Sequence, residues 1–152
     1  MFRNLLSRLL DPPTPAPLSG QDGEVAIAAL LVRLARADDH YGQAEKLRID
    51  KVLARRRGLD AATAAERRAA AEMIEAEAPD TVRFTRIIKD RVELQDRHDV
   101  IAALWEVAYA DGKRSADEEA LVRLVAGLLG INDRDSALAR QRALETMGIP
   151  DP

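Results

Sequence analysis

Four carboxylates carry the types and spacing in this sequence best suited to chemistry. Asp38 and Glu45 stand seven positions apart in "ARADDHYGQAEK", and Asp111 and Glu118 repeat that interval in "AYADGKRSADEE". Hard divalent cations take carboxylate and carbonyl oxygens, with water completing the shell, so these pairs form a candidate cation site. The loops are too short for an EF-hand, whose ligands are spread along a longer calcium loop. Oxygen donors favour calcium, magnesium or manganese over zinc. His40 lies in the first acidic turn and would draw a transition metal. It has no companion at ligand spacing, so an exposed loop residue is expected. His98, in "DRHD", is expected to pack or hydrate in the first turn of its helix. The competing reading of all four acids is a solvated face, and both readings stand at this level.

Other chemistry finds little support. Cysteine is absent, which excludes disulfides, thiolate metal sites and a cysteine nucleophile, and suits a reducing compartment. There is no glycine-rich phosphate loop, no His-Glu-x-x-His and no nucleophile elbow. Two carboxylates perform acid–base work only in a cleft that shifts their pKa values. The expectation is a protein that is not an enzyme.

The elements that position the acids read as helices. Ile27, Leu30, Leu31 and Leu34 follow i, i+3, i+4, i+7 spacing, and Ile49, Val52 and Leu53 continue the pattern in the next segment. Gly58 is a C-terminal stop, and Asp60 caps an alanine-rich helix to about Ala76. Pro79 suits the first turn of a helix carrying Phe84, Ile87, Ile88 and Val92. Asp96 opens the next, with Ile101, Leu104, Trp105 and Ala108 inward. Leu121, Leu124, Val125 and Leu128 mark a helix ending at Gly130, and Asn132 caps the last, to about Met147. No segment alternates with period two. The fold class is all-α, a single bundle of about seven helices.

Each acidic turn lies between two of these helices. Ser115-Ala-Asp-Glu118 has the form of a capping box, with serine accepting from a backbone amide and glutamate reaching back. Gly42-Gln-Ala-Glu45 is a weaker version, since glycine has no side-chain oxygen. Asp38 and Asp111 are harder to place. A helix C-terminus favours cations, so an acid there needs a compensating cation, a local hydrogen-bonding use, or free access to water.

Composition bounds the partners. Hydrophobic residues make up 47%, charged residues 32% and aromatics 3%, with a net charge of −3. That balance suits a soluble helical protein and offers neither a general attraction to phosphate polymers nor a stacking platform, so no nucleic acid is expected. Arg55, Arg56 and Arg57 fall at a helix C-terminus, where cations stabilise the dipole. No apolar run reaches the roughly 20 residues that span a bilayer. Residues 1–18 read as a separate N-terminal segment and residues 19–152 as the domain, with Ser19 capping its first helix. Residues 2–10 place Phe2, Leu5, Leu6, Leu9 and Leu10 against Arg3, Asn4 and Arg8. Four prolines in residues 11–19 make an extended linker. The short segment is expected to make weak, reversible contact with a membrane surface or a partner groove. Docking on its own domain, or disorder, is the competing expectation.

A 73-residue offset superimposes the two acidic stretches, carrying Asp38 onto Asp111 and Glu45 onto Glu118. Apolar positions follow: Ile27, Leu31, Leu34, Ile49 and Val52 fall on Val100, Leu104, Val107, Val122 and Val125. Two copies are too few for a solenoid and suggest two helix–turn–helix halves of one domain.

The paired turns, and above all "AYADGKRSADEEALVRLVAGLLGI", resemble the TerB family of tellurite-resistance operons, over roughly residues 22–146. The first copy departs from the family pattern at Asp39, where glycine is usual, which leaves the backbone of that turn open. The resemblance implies a helical accessory protein of metal or tellurite stress, with acidic residues as metal ligands. The expected function is divalent-cation binding at Asp38, Glu45, Asp111 and Glu118, coupled to an unidentified protein partner. A module whose acidic face binds a basic partner without metal is the alternative. The expected location is the cytoplasm, with peripheral contact at the inner membrane through residues 2–10.

Overall fold

The structure, a computed structural model, describes residues 20–78, 80–113 and 115–150, with side chains from residue 22 onward. Its described residues form α1 (Gly20–Ala35), α2 (Gln43–Arg57), α3 (Ala61–Glu77), α4 (Val82–Arg91), α5 (Leu94–Ala108), α6 (Ala116–Leu128) and α7 (Asp133–Met147). No strand occurs among them. The expectations for residues 2–10, the proline-rich linker, the Ser19 cap and Pro79 fall outside the described residues.

Two helices form the centre. Ala26 to Val32 of α1 are buried without a break, as are Val100 to Ala108 of α5. A helix apolar all round must be covered all round. Around α1 lie α3, α4 and α5, and α5 is covered in turn by α6 and α7. Full burial of each Leu or Ile contributes about 1.5–3 kcal/mol relative to exposure. The apolar positions matched by the 73-residue offset are buried in both copies.

Local chemistry sets most helix limits. Asp60 accepts from Thr63 N at 2.7 Å and Asn132 from Asp135 N at 2.8 Å. Gly58 and Gly148 close α2 and α7 in left-handed conformation. Two limits differ from the sequence reading. Helix α4 begins at Val82, where Asp80 accepts from Arg83 N at 3.1 Å. Helix α5 begins at Leu94 with Glu93 as its cap residue, so Asp96 lies in the first turn, a position the dipole also favours.

Ion pairs tie the layers together. Glu106, buried in α5, meets Arg48 at 3.4 Å and Arg55, both from α2. Glu75 of α3 meets Arg33 at 3.1 Å and Arg36 at 2.5 Å from α1 and the residue after it. Arg56 holds Glu24 at 3.1 Å. Arg55 and Arg56 are thus engaged with acids. No described helix is long and apolar enough to cross a membrane.

Candidate functional site

The first acidic turn joins α1 to α2, and the second joins α5 to α6. Their backbones share the bonds that close each helix end. Ala37 N donates to Leu34 O at 3.0 Å and Asp39 N to Arg36 O at 3.1 Å. At the offset positions, Ala110 N donates to Val107 O at 3.1 Å and Gly112 N to Tyr109 O at 2.9 Å. Gly112 has φ +75°, which glycine adopts at no steric cost. Asp39 has φ +63° at the same place, the described residue other than glycine with positive φ. Aspartate is among the few residues that tolerate this region. The departure seen in the sequence therefore leaves the turn's backbone unchanged.

The aspartates at the helix ends are used locally. Asp38 Oδ1 accepts from His40 N at 3.0 Å, and Asp111 Oδ1 accepts from Lys113 N at 2.9 Å. Each closes a short turn with its own backbone, which accounts for an acid placed against the helix dipole. His40 is exposed, and its Nδ1 lies 2.9 Å from the carbonyl oxygen of Asp38. The ring is engaged with its own turn, as expected of a loop residue.

The two glutamates divide the capping box between them. Gly42 N donates to Glu45 Oε2 at 3.2 Å, so the first turn has the glutamate half and no serine half. Ser115 Oγ accepts from Glu118 N at 3.2 Å, so the second turn has the serine half. The reciprocal bond expected from the Glu118 carboxylate is not among the described hydrogen bonds. Instead, Glu118 is 2% exposed and its Oε2 is buried with no hydrogen-bond partner.

Burial pushes the Glu118 carboxyl up to about 9, reinforced by the negative charge of Asp38, then by Asp111 and Glu45. The other three sequence-predicted acids thus all bear electrostatically on Glu118. Glu45 and Glu118 are buried, Asp38 is half-buried and Asp111 is exposed. The spacing suggested pairs within each turn, yet the stronger influence on Glu118 comes from Asp38 in the other turn. None of the four forms an ion pair among the described residues. The shared chemistry is all-oxygen, and a cation would satisfy the orphaned Oε2. Among the described residues, no three His, Cys, Asp or Glu side chains already stand where they could jointly hold a metal ion. Uptake of an ion would require these side chains to adjust.

Sequence reasoning missed what braces the turns. The Tyr41 ring lies under Arg36 at 5.2 Å and Lys46 at 5.1 Å, and its hydroxyl donates to Glu72 at 2.5 Å. Burial and the Glu72 contact raise the phenol above its ordinary range. Tyr109 stacks on Trp105 at 5.9 Å, lies under Arg140 and donates to Glu119 at 3.3 Å. The signal available was that both tyrosines of the sequence stand beside an acidic turn.

A family model described as "Tellurite resistance protein TerB" matches residues 24–141. Comparison with curated proteins and with solved structures gave no significant match.

Proposed function

Since the chain belongs to the TerB family of tellurite resistance proteins, we propose that its paired acidic turns bind a divalent cation as part of a non-enzymatic response to metal or tellurite stress. The observation that carries this reading is the buried, unpartnered Oε2 of Glu118 among three other carboxylates. Leaving a buried acceptor unsatisfied costs about 1–3 kcal/mol, and a hard cation relieves that cost together with the mutual repulsion of the acids. Glu118 and Glu45 would hold the ion from the buried side, with Asp38 and Asp111 from the solvent side. The ion would supply positive charge that lets Glu118 ionise. Calcium, magnesium or manganese fits the oxygen donors better than zinc. The proposed location is the cytoplasm, where the cation state would be read by a protein partner.

The second reading is an interaction module that takes no metal. It is favoured by the exposed Asp39, Asp111 and Asp117 around the cluster and by the absence of a ready-made ligand group among the described residues. A basic partner segment would then neutralise the face. Calorimetric titration with calcium, magnesium, manganese and zinc separates the two. Saturable binding lost in Glu118→Gln supports the cation site, and no heat with any of the four ions gives first place to the interaction module.

A further inference from the structure

Away from the acidic turns, α1, α2 and α3 enclose a groove of about 220 Å³. Its floor is apolar, built from Val25, Ala28, Leu53, Leu59, Ala71 and Ile74. Val25 and Leu59 are only partly buried, so the floor is accessible from outside. Glu24, Arg57, Glu66 and Arg67 stand around it. A dry site of about 150 Å³ accommodates a benzene ring, so this volume takes one or two large apolar side chains.

We propose that the groove receives residues 2–10 of the same chain. The first argument is position. Glu24 and Val25 line the groove one turn into α1, about 8 Å along the helix from Gly20, where residues 1–19 join it. The second is reach. Nine linker residues with four prolines span up to about 28 Å when extended, ample to turn back over that distance. The third is chemistry. Phe2, Leu5, Leu6, Leu9 and Leu10 recur at the spacing of one helix face, with Arg3 and Arg8 between them. An amphipathic segment laying its apolar anchors into an apolar groove is a common recognition mode. Glu24 is already engaged by Arg56, and the exposed Glu66 remains to meet an arginine of the segment. A tethered segment also competes at high effective concentration, which favours it over a second copy or a lipid surface.

The chain has no cysteine, so an engineered pair reports directly on this contact. The full chain carrying Leu9→Cys and Glu66→Cys is oxidised at low concentration, beside the same chain with Leu5→Asp and Leu6→Asp added. The added aspartates preserve the tether and remove the apolar face. Docking predicts a monomeric cross-link formed about tenfold faster in the first chain. Equal rates would show that the tether alone brings the cysteines together, and would overturn the proposal. Cross-linked dimers as the main product would assign the groove to a second copy. A slow reaction in both chains, with wild-type chain floating on anionic vesicles, would assign the segment to a membrane instead.

Discussion

Replacing Glu118 with glutamine should change how stability depends on pH more than it changes stability at any one pH. In the folded protein the Glu118 carboxyl is raised from its ordinary value of 4.5 to about 9. The sign follows from linkage. Below about pH 4.5 both folded and unfolded chains hold the proton, and this group contributes no pH dependence. As pH rises above that value, the unfolded chain releases the proton while the folded chain keeps it. Stability therefore falls with rising pH, by at most about 1.4 kcal/mol per pH unit, until about pH 9. The amide of the Glu118→Gln variant cannot titrate, and being neutral it resembles the protonated acid. From about pH 6 to pH 8 the variant should gain on the wild type by at most about 2.7 kcal/mol. Asp111 is exposed and Asp38 half-buried, so solvent screens part of their share, and a gain of about 1–2 kcal/mol is expected. Urea unfolding at half-unit pH steps measures it, with unchanged m-values as the check that only stability moves. Wild-type and variant curves that run parallel across this range would refute the buried, proton-holding Glu118. A cation that binds there should release close to one proton at neutral pH, which calorimetry in buffers of different ionisation enthalpy would read directly.

Other expectations concern single side chains. Asp111→Asn should remove much of the metal-dependent rise in melting temperature, equivalent to about 2.7 kcal/mol at a hundredfold excess of ion over Kd. Its metal-free stability should be equal or slightly higher, because an acid opposed to the α5 dipole has gone, and calorimetric melts with and without ion check both. Gly112→Ala should cost about 1 kcal/mol in urea unfolding, since φ is +75° and no neighbour lies within 4 Å of the added carbon. Asp39→Gly should be neutral or stabilising by up to about 1 kcal/mol in the same assay, and a large loss would show that the aspartate side chain itself holds the turn. Glu106→Ala should cost about 1–3 kcal/mol, because it leaves Arg48 partly buried without its acid, and a loss below about 0.5 kcal/mol would make the pair a mere surface contact.

The helices were legible because each carries its own signals. Ile27, Leu31 and Leu34 repeat at helical spacing, and Asp60, Asn132 and Gly58 bound helices by local rules that need no tertiary context. The identities of the four site acids were legible for the same reason, since each occupies a fixed place in a turn. Their mutual arrangement was not. Periodicity assigns a residue to a face, but whether Asp38 meets Glu45 or Glu118 depends on how α1 and α5 carry their turns together. The fate of the Glu118 carboxylate was hidden for a second reason. A capping box predicts a return bond to the Ser115 amide, and burial beside three other acids competes with that bond. Tyr41 escaped notice because Glu72, which takes its hydroxyl, comes from a distant helix and Arg36 and Lys46 meet its ring only once the turn is folded.

The two cap positions also suggest how such a site can change over generations. Gly42 has φ −100°, an ordinary conformation for any residue, and a carbon added there would meet Glu45 Oε2 at 3.3 Å. Gly42→Ser, a change of one base for many codons, would supply the missing cap oxygen and press the Glu45 carboxylate away from the backbone. The first turn would then have the same wiring as the second, with its glutamate released from structural duty. Whether a turn tethers its acid or frees it thus depends on one small residue three positions upstream.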